Sequence, residues 1–343
     1  TLNVPSEAYS TIQAAIDAAV DGDEIHICAG TFVENNFGWT GLRVQNKSIK
    51  LTGAGSGQTT VKVANKTNGI EFQGNMSVWI EGITFTKDGT TGPGNFLRLG
   101  ETTSIYSSVT FKDIIVEEAN GNNVQLGGNG TFTKVDIENS VFKNAGAWGC
   151  LVAGKVDEMN VSNSDFINNG QSDASHGIGL DFAGPGPFNN VTVDGGNFNF
   201  NKKAGINMQR ISNSTFKNLT ASNNTGSDGF GIKIDEWMGK SENITIQNVI
   251  AMNNGLDGIT VSPEKSNAIN DVYISNSVLS NNGRAGVGLW YINNGSNNPE
   301  MSNVSVKYSS ITDNGSFGVQ VEAWWVPMTI TETFDVSCNW FGS

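Results

Sequence analysis

Apolar and polar positions alternate in short bursts along this chain, and the bursts recur. From about residue 130 one phrase returns with small variations: apolar-x-apolar-x-Asn-Ser-x-apolar-x-Asn-Asn-Gly. It begins at Val135, Val161, Val191, Ile244, Val272 and Val306. A second phrase, Gly-apolar-x-apolar, follows each one and opens at Gly149, Gly177, Gly205, Gly231, Gly258, Gly286 and Gly318. These glycines recur every 26 to 32 residues, room for three short strands and their turns. That is one coil of a parallel β-solenoid. Within each coil the pairs Ile178/Leu180, Ile206/Met208, Ile232/Ile234, Ile259/Val261, Val287/Leu289 and Val319/Val321 follow a period of two. Such strands turn one face inward and the other outward.

The repeated asparagines fall at the bends. Asn tolerates the left-handed backbone of a tight turn, and amides stacked at the strand spacing of ~4.8 Å can hydrogen-bond in ladders. An open solenoid also has edges that must be covered. Residues 10–19 read as a short amphipathic helix, with Ser10 as N-cap and Ile12, Ala15, Ile16 and Ala19 on its apolar face. Asp21-Gly22-Asp23 then turns the chain into a strand over Glu24 to Cys28, and Ala29 to Phe32 closes the first coil. The expected organisation is one domain over residues 1–343: a cap and first coil to residue 32, then stacked coils from 33 to 343.

The segment STIQAAIDAAVDGDEIHICAGTFVEN, residues 10–35, resembles the N-terminal cap of the pectate-lyase-like superfamily. The ending SCNWFGS, Ser337 to Ser343, resembles the last coil of many secreted bacterial β-helix proteins. The resemblance implies an all-β, right-handed parallel β-helix with a short capping α-helix. It also implies an extracellular or cell-surface location and a carbohydrate partner. That superfamily hosts hydrolases, lyases, epimerases, esterases, tailspikes and adhesins, so activity must be argued from the site.

Composition narrows the classes. The 343 residues include 42 Gly and only 7 Pro, and the net charge is −13. Twenty scattered Lys and Arg, without a run, do not make a nucleic-acid surface. There is no apolar run of about 18 residues to span a membrane. The chain opens at Thr1 without a signal-peptide pattern, as a processed form would. Cys28, Cys150 and Cys338 are far apart, and free, largely buried thiols are expected.

Counting from the glycines gives two outward columns. The second positions are Leu151, Gly179, Asn207, Lys233, Thr260, Gly288 and Gln320; the fourth are Ala153, Asp181, Gln209, Asp235, Ser262, Trp290 and Glu322. Charge and aromatic residues concentrate here, with Arg210, Glu236, Trp237, Tyr291, Trp324 and Trp325 close behind. Sugar recognition needs such a mixture, because pyranose faces stack on rings while hydroxyls need polar partners.

On this count Asp181 and Asp235 share a column two coils apart, with Cα atoms ~10 Å apart. Paired carboxyls roughly 6.5–9.5 Å apart suit an inverting glycosidase. Asp181 is the candidate acid and Asp235 the base, held ionised by Lys233, although the roles are exchangeable; Glu236 is the third candidate. His176, which follows Asp173 to Ser175, joins Asn207, Gln209, Arg210, Lys233 and Glu322 as candidate substrate contacts. Trp237, Trp290 and Tyr291 are the candidate stacking platforms. No metal-ligand motif occurs, although Asp228, Asp257 and Glu264 lie in turns and a weak calcium site is conceivable there. His26 reads as structural. Three readings stand: a glycoside hydrolase acting on a polysaccharide, a non-catalytic adhesive or glycan-binding module, and a polyuronate lyase or epimerase using Lys233, Arg210 or His176 as base.

Overall fold

Inward aliphatic side chains on each coil need a partner surface, and the coils above and below supply it. In the computed structural model the strands stack in parallel into three faces. One sheet of eleven strands runs from Thr40–Gln45 to Phe317–Trp325, and one of fifteen runs from Leu2–Val4 to Glu300–Lys307. The third face comprises a six-stranded and a three-stranded sheet, joined by the bridges Asn197–Thr220 and Thr220–Ile250. The structure describes all residues except 102, 173–175, 238, 266, 294–297, 326–329, 331 and 343, and the side chains of 293 and 325. The turn before His176, the Trp325 side chain and Ser343 therefore lie outside the described residues.

The period-two pattern does what it implied. Ile206, Met208, Ile232, Ile234, Ile259 and Val261 are wholly buried, each on the same column of the next coil. Burying one such side chain stabilises by about 1.5–3 kcal/mol. Phe142, Phe166 and Phe198 stack at 4.8 and 5.0 Å along the axis.

Each Asn-Asn-Gly bend divides its work. The first Asn takes a left-handed backbone, as at Asn168 (φ 57°), Asn223 (φ 60°) and Asn253 (φ 56°). The second turns inward and forms a ladder. Along Asn169, Asn201, Asn224, Asn254, Asn282 and Asn314, each Nδ2 donates to the next Oδ1 at 2.9, 3.2, 3.0, 2.9 and 3.0 Å.

The capping helix spans Ile12–Ala18, and its N-cap is Thr11 rather than Ser10: the Thr11 hydroxyl accepts from Ala14 N–H at 3.1 Å. The helix covers the first edge of the eleven-stranded sheet. Gln13 Oε1 accepts from Arg43 N–H at 2.9 Å and its Nε2 donates to Arg43 O at 3.1 Å, imitating a neighbouring strand. All three cysteines are free, but only Cys150 is buried; Cys28 and Cys338 are exposed because they lie in the first and last turns.

Register corrects the count of columns. Gly149 faces Gly179, not Gly177: a Cβ on Gly149 would lie 2.5 Å from Gly179 O. The insertion is in the turn ahead of Gly177, so the slip is two residues and preserves which way each side chain points. One outward column therefore reads Arg43, Glu71, Arg98, Gln125, Leu151, Asp181, Asn207, Lys233, Thr260, Gly288 and Gln320. Asp181 belongs to it. Asp235 belongs to the neighbouring column, beside Ser262.

Candidate functional site on the middle coils

Three successive strands of the eleven-stranded sheet, Ile178–Phe182, Ala204–Met208 and Phe230–Glu236, carry outward residues into one cavity of about 350 Å³. Its lining includes Asp181, Asn207, Gln209, Lys233, Asp235, His176 and Trp237, seven of the residues singled out in the sequence. Trp148, Lys203 and Phe230 line it too.

Asp181 is the most constrained of these. It is 3% exposed, and its two oxygens accept from Trp148 Nε1 at 2.7 Å and from Asn207 Nδ2 at 2.8 Å. Lining the same cavity, Ile178, Ala204 and Phe230 form a small apolar cluster with Trp148 and Leu256, separate from the main core. Burial in these surroundings pushes the Asp181 carboxyl up from 3.8 to about 6. The Asn207 and Trp148 hydrogen bonds and the charges of Lys203 and Lys233 pull less strongly the other way. Asp235 stands differently: its Oδ2 is 2.8 Å from Lys233 Nζ in a partly buried ion pair. Lys233 Nζ also lies 5.2 Å from the centre of the Phe230 ring. Two strands of ~4.8 Å and two residues of ~3.3 Å set the Asp181 and Asp235 Cα atoms ~12 Å apart on a diagonal.

The rest of the lining fixes the cavity's character. His176 packs against the Trp148 ring with centroids 4.5 Å apart. Lys203 pairs with Asp228 at 3.4 Å. Trp237 is 46% exposed and offers an open ring face. Gln209 is 5% exposed and its Oε1 has no hydrogen-bond partner. Trp148, Ile178, Ala204 and Phe230 each immediately precede a glycine of the aligned column. Counting backwards from the glycines, as well as forwards, finds them.

A family model described as "Right handed beta helix region" matches residues 172–303. The fold also superimposes on the A-module of a mannuronan C-5 epimerase, AlgE6 of Azotobacter vinelandii, with a TM-score of 0.63 and 18% identity over 100% of both chains. The chain has the right-handed parallel β-helix fold. This β-helix also matches the catalytic unit of a GH87 α-1,3-glucanase from Streptomyces thermodiastaticus, with a TM-score of 0.60 and 15% identity over 100% of this chain and 69% of that one. The A-module of AlgE4 from Azotobacter vinelandii gives 0.58 and 17% over 100% of both chains. No curated protein matches the sequence.

Other sequence candidates fall outside the cavity of this β-helix. Glu236 is wholly buried and does not line the cavity; its Oε2 accepts from Arg210 N–H at 2.7 Å and from the Ser241 hydroxyl at 2.6 Å. Arg210 takes a left-handed backbone (φ 51°) and turns away from the lining. Tyr291 points into the core, where burial pushes its hydroxyl up, because it alternates with the outward Trp290. Trp290 points outward but is 2% exposed, so it is no platform. Its indole donates to Asp257 Oδ2 at 2.7 Å beneath Arg284, whose guanidinium lies 4.1 Å from the Trp290 ring. Glu322 is exposed on the last coil, in a separate shallow depression with Phe317 and Gln320. Among the described residues the acidic residues considered for calcium form no three-residue cluster. Asp257 is held by Arg284 at 2.6 Å, Asp228 by Lys203, and Glu264 by Lys265 at 3.3 Å.

Proposed function

We propose that this β-helix is a glycoside hydrolase that cleaves a polysaccharide with inversion, using Asp181 as acid and Asp235 as base. The observation that carries the reading is the contrast between the two carboxyls of one cavity. Asp181, buried in a cavity that an apolar cluster also lines, holds its proton to about pH 6, while Asp235 stands in an ion pair with Lys233. Asp181 gives its proton to the glycosidic oxygen as the C–O bond breaks. Asp235 takes a proton from the water that attacks the anomeric carbon from the opposite face. The products are a free hydroxyl and a hemiacetal of inverted configuration, and solvent resets both protons. A diagonal Cα separation of ~12 Å, shortened by two inclined side chains, suits the roughly 6.5–9.5 Å of inverting enzymes better than the ~5 Å of retaining ones. Trp237 supplies the stacking face, and Asn207, Gln209, Lys203 and His176 supply polar contacts. A polymeric substrate implies action outside the cell.

A second reading draws on Lys203, Lys233 and His176, which line the same cavity. Such groups suit abstraction of the C5 proton of a uronate whose carboxylate they also neutralise, and two of the superimposed structures are A-modules of mannuronan C-5 epimerases. The net charge of −13 weighs against a polyanion.

The deciding experiment is reducing-sugar release across neutral and acidic polysaccharides for wild type, Asp181→Asn and Asp235→Asn, with ultraviolet absorbance followed in parallel. Hydrolysis predicts release without new absorbance, reduced by about 10²–10⁴ in both variants. New absorbance signals elimination and the second reading. No release with retained binding marks a non-catalytic glycan-binding module.

A further inference from the structure

The arrangement around Asp181 occurs twice on the same face. Trp148, ahead of the strand Cys150–Val152, donates its indole N–H to Asp181 on the next strand of the sheet. Trp39, ahead of the strand Thr40–Gln45, donates its indole N–H at 3.2 Å to Glu71, likewise on the next strand. Register places Glu71 and Asp181 in one outward column. The two tryptophans precede strands four steps apart in the sheet, ~19 Å along the axis, with Trp39 one position before the register of Trp148.

The second arrangement also brings aromatic rings and charged groups together. Trp39 is 49% exposed, and Phe37 lies beside it with centroids 6.2 Å apart. The Arg43 guanidinium lies 4.5 Å from the Phe37 ring and 5.8 Å from the Trp39 ring. Glu71 is 4% exposed between Arg43 and Arg98 in the column. Arg98 contacts Glu101 and Asn68 through its Nη atoms, yet its buried Nε has no acceptor. Among the described residues the other buried side-chain polar atoms without partners are Gln209 Oε1 and Gln320 Oε1. Both belong to coils of this same sheet, one in the middle cavity and one at the far end. A buried donor left unpaired costs about 1–3 kcal/mol, so this coil carries an unmet polar group.

We infer that Phe37, Trp39, Arg43, Glu71 and Arg98 form a second sugar-binding site that grips the same polysaccharide about four coils from the cavity. One ring of the polymer stacks on Trp39 while its hydroxyls meet Glu71 and Arg98. This rests on the reading of the middle coils as a polysaccharide groove. It adds a length requirement, since only an oligosaccharide of several units reaches both sites.

The test is affinity electrophoresis of wild type, Trp39→Ala, Trp39→Phe and Trp237→Ala through gels containing soluble α-glucan, β-glucan, mannan or alginate. Trp39→Ala should weaken retention by the bound polymer about tenfold, with Trp39→Phe retaining most of it and a thermal midpoint close to wild type in each. If Trp39→Ala is poorly folded, Phe37→Ala takes its place. Loss in Trp237→Ala alone overturns the second site and leaves the middle groove standing. Loss in Trp39→Ala alone upholds binding at the first coils and removes the middle-groove reading. Retention of wild type by none of the polymers overturns both.

Discussion

Asp181 is a carboxyl whose surroundings oppose its charge, and that has consequences at two levels. The folded protein holds its proton more tightly than the unfolded chain, about 6 against 3.8. Below pH ~3.8 both states are protonated and the group costs nothing; the cost grows from there to about pH 6 and is constant above it. Its upper size is about 3 kcal/mol. Asp181→Asn should therefore be more stable than wild type at pH 7, by up to that amount, and the difference should vanish near pH 4. Urea denaturation at the two pH values measures it, and an unchanged difference would mean the burial cost is not felt. In catalysis, the rate should fall above pH ~6 as the acid loses its proton, a limb absent from the residual activity of Asp181→Asn. At this scale the sequence was partly legible. Alternation identified Asn207, Lys233 and Asp235 as outward, and even with the glycine count off by two it kept Asp181 outward. Trp290 shows where it stops. Period two says which way a side chain points, not what covers it, and the cover is Arg284, held on Asp257 from another coil.

Coils are held by repeated devices more than by any single contact. Asn254 illustrates one of them. Its amide donates to Asn282 Oδ1 and Ala221 O at 2.9 and 3.0 Å, and its Oδ1 accepts from Asn224 N–H and Nδ2 at 3.1 and 3.0 Å. Asn254→Ala removes four buried hydrogen bonds, and a cost of about 2–4 kcal/mol is expected from urea melts. The glycine column is the other device. A Cβ on Gly231 would sit 2.4 Å from Gly258 O, a backbone atom that cannot swing aside. Gly231→Ala should cost about 1–3 kcal/mol by overpacking and should disturb Phe230 and Lys233 next to it, so activity falls with stability. Both devices were legible, because a side chain stacked on its own copy must recur at the coil period. The slip between Gly177 and Gly179 was not. Spacing alone cannot say on which side of a glycine the extra residues lie.

Over the whole molecule, the solenoid makes one straight face of eleven strands, and the chemistry laid along it is mixed. Arg43, Arg98 and Lys233 alternate with Glu71 and Asp181 in a single column. The charges of this column nearly cancel although the chain carries −13 overall. That contrast separates neutral from acidic polymers. A polyuronate approaching a chain of this charge is repelled at long range, and the repulsion is screened as the Debye length shortens from ~30 Å at 0.01 M salt to ~8 Å at 0.15 M. Added salt should therefore raise kcat/KM if the substrate is a polyuronate. A neutral glycan feels no such field, and its stacking on Trp237 and Trp39 does not weaken with salt. We expect kcat/KM on the preferred polysaccharide to change less than about twofold across that range. A steep rise with salt would shift the assignment to the uronate chemistry of Lys203, Lys233 and His176, with the fold and the cavity unchanged.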